Sequence, residues 1–376
     1  MKKHKICVYG ICKNEEKFVD RFMDCLEEIK DHVYILDTGS TDNTVEKFKA
    51  RGAHIKSKKY QKFEFDKARN DSLKLVPEKY DICICLDMDD CIEPGFIDEI
   101  NNNWKDDTTQ LRYQYYYRLD DLDEPLTKFF CGKIHKRDCY RWKYPIHEVL
   151  EYIGDNEIAF DAPNIIFKHR TDFEKSREFY LDLLEEYVEN NPNDTRNTYL
   201  LAREYKNLRE WEKCIKISHS YLKIKNANYK EERGQLMSFM AKSYCKLEYY
   251  EEAELWGLKA LEEVSECRTP YVELMLIYYE QKKYEKALYY GLESLKITKR
   301  NRHMTEDINC WDGTIYDYIS LCYYYLEDYD KAIEYIDIDI KQNPHIQRLK
   351  DNRELFIKKR DKKWYNSHRR YLYVFK

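Results

Sequence analysis

No stretch of this sequence approaches the ~20 consecutive apolar residues of a membrane-spanning helix, so no transmembrane segment is expected and any membrane contact is peripheral. There is no GxGxxG and no GxxxxGK[ST], which excludes the dinucleotide fingerprint and the Walker loop as ways of holding a nucleotide. An excess of positive charge is also missing: the net charge of -5 argues against nucleic acid as a partner. None of the thirteen cysteines forms a CxxC pair, and several sit inside apolar runs, as Cys83 and Cys85 do. They read as reduced, mostly buried thiols of a cytoplasmic protein. The opening MKKHKICVYGICKNEE is basic and then briefly apolar, far short of a signal peptide's core. At ~150 residues per domain, 376 residues imply two domains.

What is present centres on Tyr80 to Pro94, YDICICLDMDDCIEP. Five apolar residues, Ile82 to Leu86, are too few for an ordinary helix and read as a short buried strand. Asp87, Asp89 and Asp90 follow at its carboxyl end, where open α/β sheets place their ligands. Oxygen-only ligands of this kind suit Mg²⁺ or Mn²⁺, with substrate phosphates completing the shell. The plainer reading has the same acids capping a helix that begins at Pro94.

Upstream, Ile6 to Ile11 reads as a first strand. Asn14, Glu15 and Glu16 then open a helix with the stripe Phe18, Phe22, Cys25, Leu26 and Ile29. Val33 to Leu36 is a second strand ending in Asp37-Thr38-Gly39-Ser40-Thr41-Asp42, where Gly39 permits a tight turn and Ser40, Thr41 or Asp42 caps the helix carrying Val45 and Phe48. A third strand near Ala53 to Lys56 and a helix from Phe65 to Leu75 complete a β-α-β-α alternation, which argues for a parallel, doubly wound sheet.

Taken in order, Asn14-Glu15-Glu16, the Asp37 to Asp42 turn, Arg69-Asn70 and Asp87-Met88-Asp89-Asp90 resemble a family-2, GT-A-type inverting glycosyltransferase over residues 5 to 170. That resemblance implies a Rossmann-like α/β domain transferring sugar from a nucleotide-sugar, most simply a UDP-sugar. It assigns the base and ribose to Asp37 and Thr38, a phosphate to Arg69, and ribose and the Mn²⁺ or Mg²⁺ ion to Asp87 and Asp89. Read alone, Arg69 is an exposed helix arginine paired with Asp66.

Beyond Pro94 the pattern turns to alternating aromatic strands, Leu111 to Arg118 and Phe129 to Lys136, around the acidic turn Asp120 to Pro125. These would form the acceptor side. Trp142 to Glu148 brings a Trp, a His and a Glu together, offering a stacking face for a sugar, a metal or phosphate contact and a carboxylate base. Relatives with helical repeats carry a similar IHE. Glu148 is the expected general base, with Asp120, Asp121 and Asp123 as rivals. His169, ending the apolar run Ile165 to Phe167, is the expected histidine on the metal or diphosphate, with His147 as the alternative; either could equally be a structural hydrogen-bonder.

The second half repeats. Ala202, Tyr205, Trp211, Cys214 and Tyr221 recur with the same offsets as Ala241, Tyr244, Tyr250, Ala253 and Ala260, then from Met275 and from Ser320. Small and aromatic residues so spaced mark tetratricopeptide (TPR) helix pairs stacked as an all-α superhelix. The expected division is 1–172 for the transferase domain, 173–194 for a linking helix and turn, and 195–376 for the repeats, a capping helix and a basic aromatic tail. The repeats would present a glycan, peptide or protein acceptor, or mediate homo-oligomerisation. Two rivals remain: a TPR scaffold with a vestigial nucleotide-binding domain, and a haloacid-dehalogenase-type DxD phosphatase, whose usual Thr or Val is Cys91 here.

Overall fold

The computed structural model describes residues 4–120, 122–170, 178–301 and 308–372; of residues 178, 179, 308 and 366–372 it describes the backbone alone. The chain divides into two compact units, Met1–Leu184 and Glu185–Lys376.

In the first unit the elements run β1 (Ile6–Cys12), α1 (Val19–Asp24), β2 (Val33–Asp37), α2 (Thr44–Ala50), β3 (His54–Ser57), α3 (Phe65–Leu75), β4 (Ile82–Cys85), β5 (Asp90–Ile92) and α4 (Phe96–Asn103). There follow β6 (Gln110–Leu119), β7 (Pro125–Lys136), β8 (Tyr140–Lys143), β9 (Val149–Tyr152) and β10 (Ala159–His169). Eight strands form one sheet in the order β3-β2-β1-β4-β7-β6-β10-β5, while β8 and β9 pair separately. The first four are mutually parallel, as the β-α alternation demands, and β1 and β4 are covered on both faces, which is why they read as continuous apolar runs. From β4 onward the sheet is mixed: β7 runs antiparallel to β4 and to β6, and β10 parallel to β6.

The short strand β5 places the site. Leaving the acidic stretch, the chain pairs antiparallel with the end of β10, so that Asp90 faces His169, Cys91 faces Lys168 and Ile92 faces Phe167. A bulge between Ala162 and Ile166 shifts the register of β10 against β6 just before this pairing.

Four sequence expectations are corrected here. The stripe from Phe18 to Ile29 is not one helix: α1 ends at Asp24 and a 3-10 segment spans Glu27–His32. Pro94 does not begin a helix; α4 starts after Gly95, which takes the left-handed conformation at φ 85°. Asn43, not Ser40, Thr41 or Asp42, is the residue preceding α2, although the Asp42 carboxylate accepts from the Thr44 N–H. Nor are all thirteen cysteines free: Cys25 and Cys91 are joined in a disulfide with Cα atoms 5.7 Å apart.

The second unit takes up the end of α5 (Glu178–Asn190), then the pairs α6 (Thr195–Leu208) and α7 (Trp211–Leu222), α8 (Lys230–Lys246) and α9 (Tyr250–Glu263), α10 (Arg268–Glu280) and α11 (Tyr284–Leu295), and α12 (Thr314–Tyr325) and α13 (Tyr329–Gln342), closed by α14 (Gln347–Leu372). These are the four TPR pairs the offsets predict. Their small positions are buried where helices cross, among them Ala202, Ala241, Ala253, Ala287 and Ala332. Each pair turns on a left-handed residue at one shared offset, Arg209, Glu248, Lys282 and Glu327, none of them glycine. In every case the next N–H returns to the carbonyl of the repeat tyrosine: Glu210 to Tyr205, Tyr249 to Tyr244, Lys283 to Tyr278 and Asp328 to Tyr323. Leu349 and Phe356 seat α14 on Ala332 and Ile336. The beginning of the expected linking helix at Phe173, part of the long inter-repeat loop and the last four residues of the tail lie outside the described residues.

Candidate functional site

The turn after β2 is held by the turn after β1. The buried Asp37 carboxylate accepts from the N–H groups of Gly39 (3.3 Å) and Ser40 (2.8 Å). Burial pushes its pKa up, but these bonds and those from the Ser40 and Ser57 hydroxyls outweigh it and leave the pKa lowered. Thr38 is turned inward, its hydroxyl donating to the Cys12 carbonyl at 3.1 Å. Asn14, in the left-handed region at φ 55°, accepts from the Thr41 N–H at 2.7 Å, and the Thr44 hydroxyl accepts from the Glu15 N–H at 2.8 Å. The early Asn-Glu-Glu motif is thus a brace for the Asp37 loop.

At the end of β4 lies a charge-balanced cluster. Arg69, on α3 and nearly inaccessible, donates from Nη2 to Asp87 Oδ1 (2.6 Å) and from Nε to Glu148 Oε1 (2.5 Å). Lys133, on β7, donates to Asp87 Oδ2 at 2.6 Å. Two cations and two carboxylates offset one another. Burial alone would raise the Asp87 pKa, but Arg69 and Lys133 hold it far below the usual carboxylate range. Burial likewise disfavours the charge on Arg69, and Asp87 and Glu148 more than restore it. Asp66 is not the partner of Arg69; its carboxylate accepts from the Lys67 N–H.

The Arg69 guanidinium lies over the Trp142 ring at 4.9 Å. Trp142 is 3% exposed and its indole N–H donates to the Tyr9 hydroxyl at 2.8 Å, so it offers no face to a sugar; that expectation is corrected.

Beside this cluster Asp89, Asp90 and His169 each offer a ligand atom, all within 4.8 Å of one another. It is the one such group found among the described residues, and neither His147 nor Asp87 belongs to it. Asp90 is 1% exposed; its Oδ1 accepts from the Tyr115 hydroxyl (2.7 Å) and lies 3.1 Å from His169 Nδ1, while Oδ2 is buried without a hydrogen-bond partner. Burial raises the Asp90 pKa despite the bond from His169. An orphaned buried carboxylate oxygen beside a second carboxylate and an imidazole fits a divalent cation, by position and by donor chemistry.

His147 adopts a left-handed backbone, φ 50°, in the turn between β8 and β9. Of the rival carboxylates, Asp120 caps its own turn through the N–H groups of Leu122 and Glu124, and Asp123 is held at a pKa of about 2 by hydrogen bonds from Arg170 and Lys168. Asp121 lies outside the described residues. Sequence reasoning missed Lys133, one of three lysines on β7, which nothing in the strand's pattern sets apart. Asp90 is among the three acids that read as cation ligands, but the resemblance gives the ion to Asp87 and Asp89 alone.

Residues 7–170 match the family model described as glycosyl transferase family 2. No curated protein matches the chain. Solved structures similar to part of it include the Cut9-Hcn1 hetero-tetramer of APC/C (11% identity, TM-score 0.40, 48% of this chain and 33% of that one). Others are TTC0263, a thermophilic TPR protein of Thermus thermophilus (16%, TM-score 0.36, 47% and 88%), and YrrB, a TPR protein with an unusual peptide-binding site (15%, TM-score 0.36, 47% and 83%). The chain thus spans a third of the Cut9-Hcn1 match and most of the other two. Residues 7–170, the N-terminal α/β portion, thus match glycosyl transferase family 2, and TPR-type helix pairs follow them.

Proposed function

We propose that the chain is a metal-dependent hexosyltransferase that moves a sugar from a UDP-sugar to a hydroxyl of a glycan, peptide or protein acceptor with inversion. The observation that carries this is the Asp89, Asp90 and His169 group at the carboxyl end of the sheet, one step from the Asp87 and Arg69 pair. Asp37, in the loop that Thr38 ties to β1, takes the base and ribose. Asp87 and Arg69 take ribose and phosphate. Asp89 and His169, with Asp90, hold Mn²⁺ or Mg²⁺; when bound, such an ion supplies positive charge at the departing diphosphate.

Glu148 is the general base. Its Oε1 is engaged by Arg69, so Oε2 is the oxygen that takes the acceptor's proton as the new bond forms. The arrangement disfavours a phosphatase, because Asp87 has one oxygen on Arg69 and the other on Lys133 and is a poor nucleophile. A scaffold that had lost activity would have no need of a balanced, half-buried charge cluster of this kind.

Residues 1–172 carry the transfer and 195–376 recruit the acceptor or a second copy of the chain. No helix of the described residues is long and apolar enough to cross a membrane. Eleven of the thirteen cysteines lie outside the disulfide, which favours a cytoplasmic setting.

Calorimetry with UDP tests the proposal. Binding should require Mn²⁺ or Mg²⁺, be abolished by chelation, and weaken at least about tenfold in Asp89→Ala and His169→Ala. UDP binding that is indifferent to metal in the wild type rejects it.

A further inference from the structure

Along one face of β6 the tyrosines change role in sequence. Tyr113 is buried and stacks on Phe167 with ring centres 3.6 Å apart. Tyr115 spends its hydroxyl on Asp90. Tyr117, the third, is 43% exposed and lies parallel to the His169 ring, centres 5.4 Å apart and planes within 10°. Opposite them on β7, Phe129 is 47% exposed, 5.5 Å from Tyr115 and 6.2 Å from Tyr117. The row therefore leads from the core, past the cation group, to an open aromatic surface adjoining His169.

We propose that Tyr117 and Phe129 form the platform on which the acceptor's terminal pyranose stacks, so that the acceptor is a glycan. The inference rests on the glycosyltransferase reading above and deepens it. A pyranose ring has one face lined by C–H groups and a rim of hydroxyls, and it needs an aromatic surface flanked by polar groups. The polar flank is the Asp90 and His169 pair next to Tyr117, and Asp123 in the hairpin turn, bonded to Lys168 and Arg170, fastens the hairpin to the end of β10.

Direction separates this surface from the donor's ends. The base and ribose belong at Asp37 on β2, on the far side of β1 and β4 in the sheet order. The diphosphate belongs beside Arg69 and at the cation group. Phe129 precedes Lys133 on β7 and Tyr117 follows Tyr115 on β6, so the exposed pair lies toward the hairpin turn, past the cation group. An occupant there approaches the transferred sugar from the side opposite the nucleotide, where an incoming acceptor must be.

The test uses the full chain with saturating UDP and Mn²⁺. Methyl glycosides of glucose, galactose, mannose and N-acetylglucosamine are offered as probes, together with a Ser- and Cys-containing peptide, and contact is read by saturation-transfer NMR. At least one glycoside should receive saturation, most strongly on the ring protons of one face. Its affinity should fall about tenfold in Tyr117→Ala or Phe129→Ala and return in Tyr117→Phe, with UDP binding unchanged throughout. If UDP binds and no glycoside does, if glycoside binding ignores both alanine variants, or if the peptide alone depends on Tyr117, the platform is rejected. If UDP itself fails to bind, the glycosyltransferase reading is what falls.

Discussion

Arg69 and Glu148, 79 residues apart in sequence, meet at 2.5 Å, and the same guanidinium reaches Asp87 at 2.6 Å. One side chain comes from the middle of α3 and the other from the turn ahead of β9. The arginine thereby couples the expected base to the acidic stretch after β4 and fixes both relative to the cation group. Its planar fork makes two bonds in different directions, which a lysine ammonium on a flexible stem does not reproduce.

Removing that arginine should leave two half-buried carboxylates without the cation they share. Arg69→Met is expected to lose about 3 kcal/mol or more of stability, measured by urea unfolding followed at Trp142, and Arg69→Lys to recover part of it. A loss of under about 1 kcal/mol, the size of an exposed pair, would show that the cluster is not held as described.

Glu148→Gln keeps an oxygen for Arg69 and removes the proton acceptor. Sugar transfer should fall by about 100-fold or more, while UDP and Mn²⁺ affinities measured by calorimetry stay near those of the wild type. Near-normal transfer would move the base elsewhere.

His135 sets a pH limit on the N-terminal unit. It is fully buried; its Nδ1 lies 3.0 Å from the Lys136 carbonyl and must carry the proton, so Nε2 accepts from the Tyr9 hydroxyl at 2.8 Å. Burial lowers its pKa from 6.5 to about 4. The unfolded chain therefore binds this proton more readily than the folded one, and the stability it contributes is full above pH 6.5 and lost as pH falls toward 4. The loss should reach about 3 kcal/mol. Urea midpoints taken across that window should slope downward in the wild type and flatten in His135→Gln.

The left-handed turns of the repeats cost something that glycine would not. Glu248→Gly and Lys282→Gly should each stabilise the second unit by about 0.5–1 kcal/mol, the left-handed strain relieved less the added freedom of the unfolded chain. Their alanine counterparts should give no such gain. Thermal melts of the full chain compare the two series.

The sheet's first half and the repeats were legible because each rests on a local signal. A run such as Ile82 to Cys85 can only be a covered strand, and tyrosine and alanine at fixed offsets can only pack neighbouring helices. The helix from Phe65 to Leu75 appears with the expected ends. The β5 strand was not legible: three residues in which an aspartate and a cysteine precede a single isoleucine carry no period, and only pairing with β10 makes them extended. That pairing is what brings His169 to Asp90, so the cation group could be guessed from chemistry but not built. Trp142 misled for a related reason, since a tryptophan near a His-Glu pair looks like a sugar platform until Tyr9 and Arg69 are seen to enclose it. Lys133 went unnoticed because its meaning depends on Asp87, which lies on the neighbouring strand's far end.

The pairing of β5 with the end of β10 makes the cation group a matter of parity. Along β10, Phe167 enters the core, Lys168 turns to Asp123 and Glu93 on the opposite face, and His169 returns to Asp90. A slip of one residue would hand the carboxylates an ammonium that competes with any metal ion, and a slip of two would offer them a phenyl ring. The bulge between Ala162 and Ile166 sets which of these three side chains arrives. One residue gained or lost between Pro163 and Ile165 would therefore turn the Asp89, Asp90 and His169 group into an internal salt bridge without substituting any of the three.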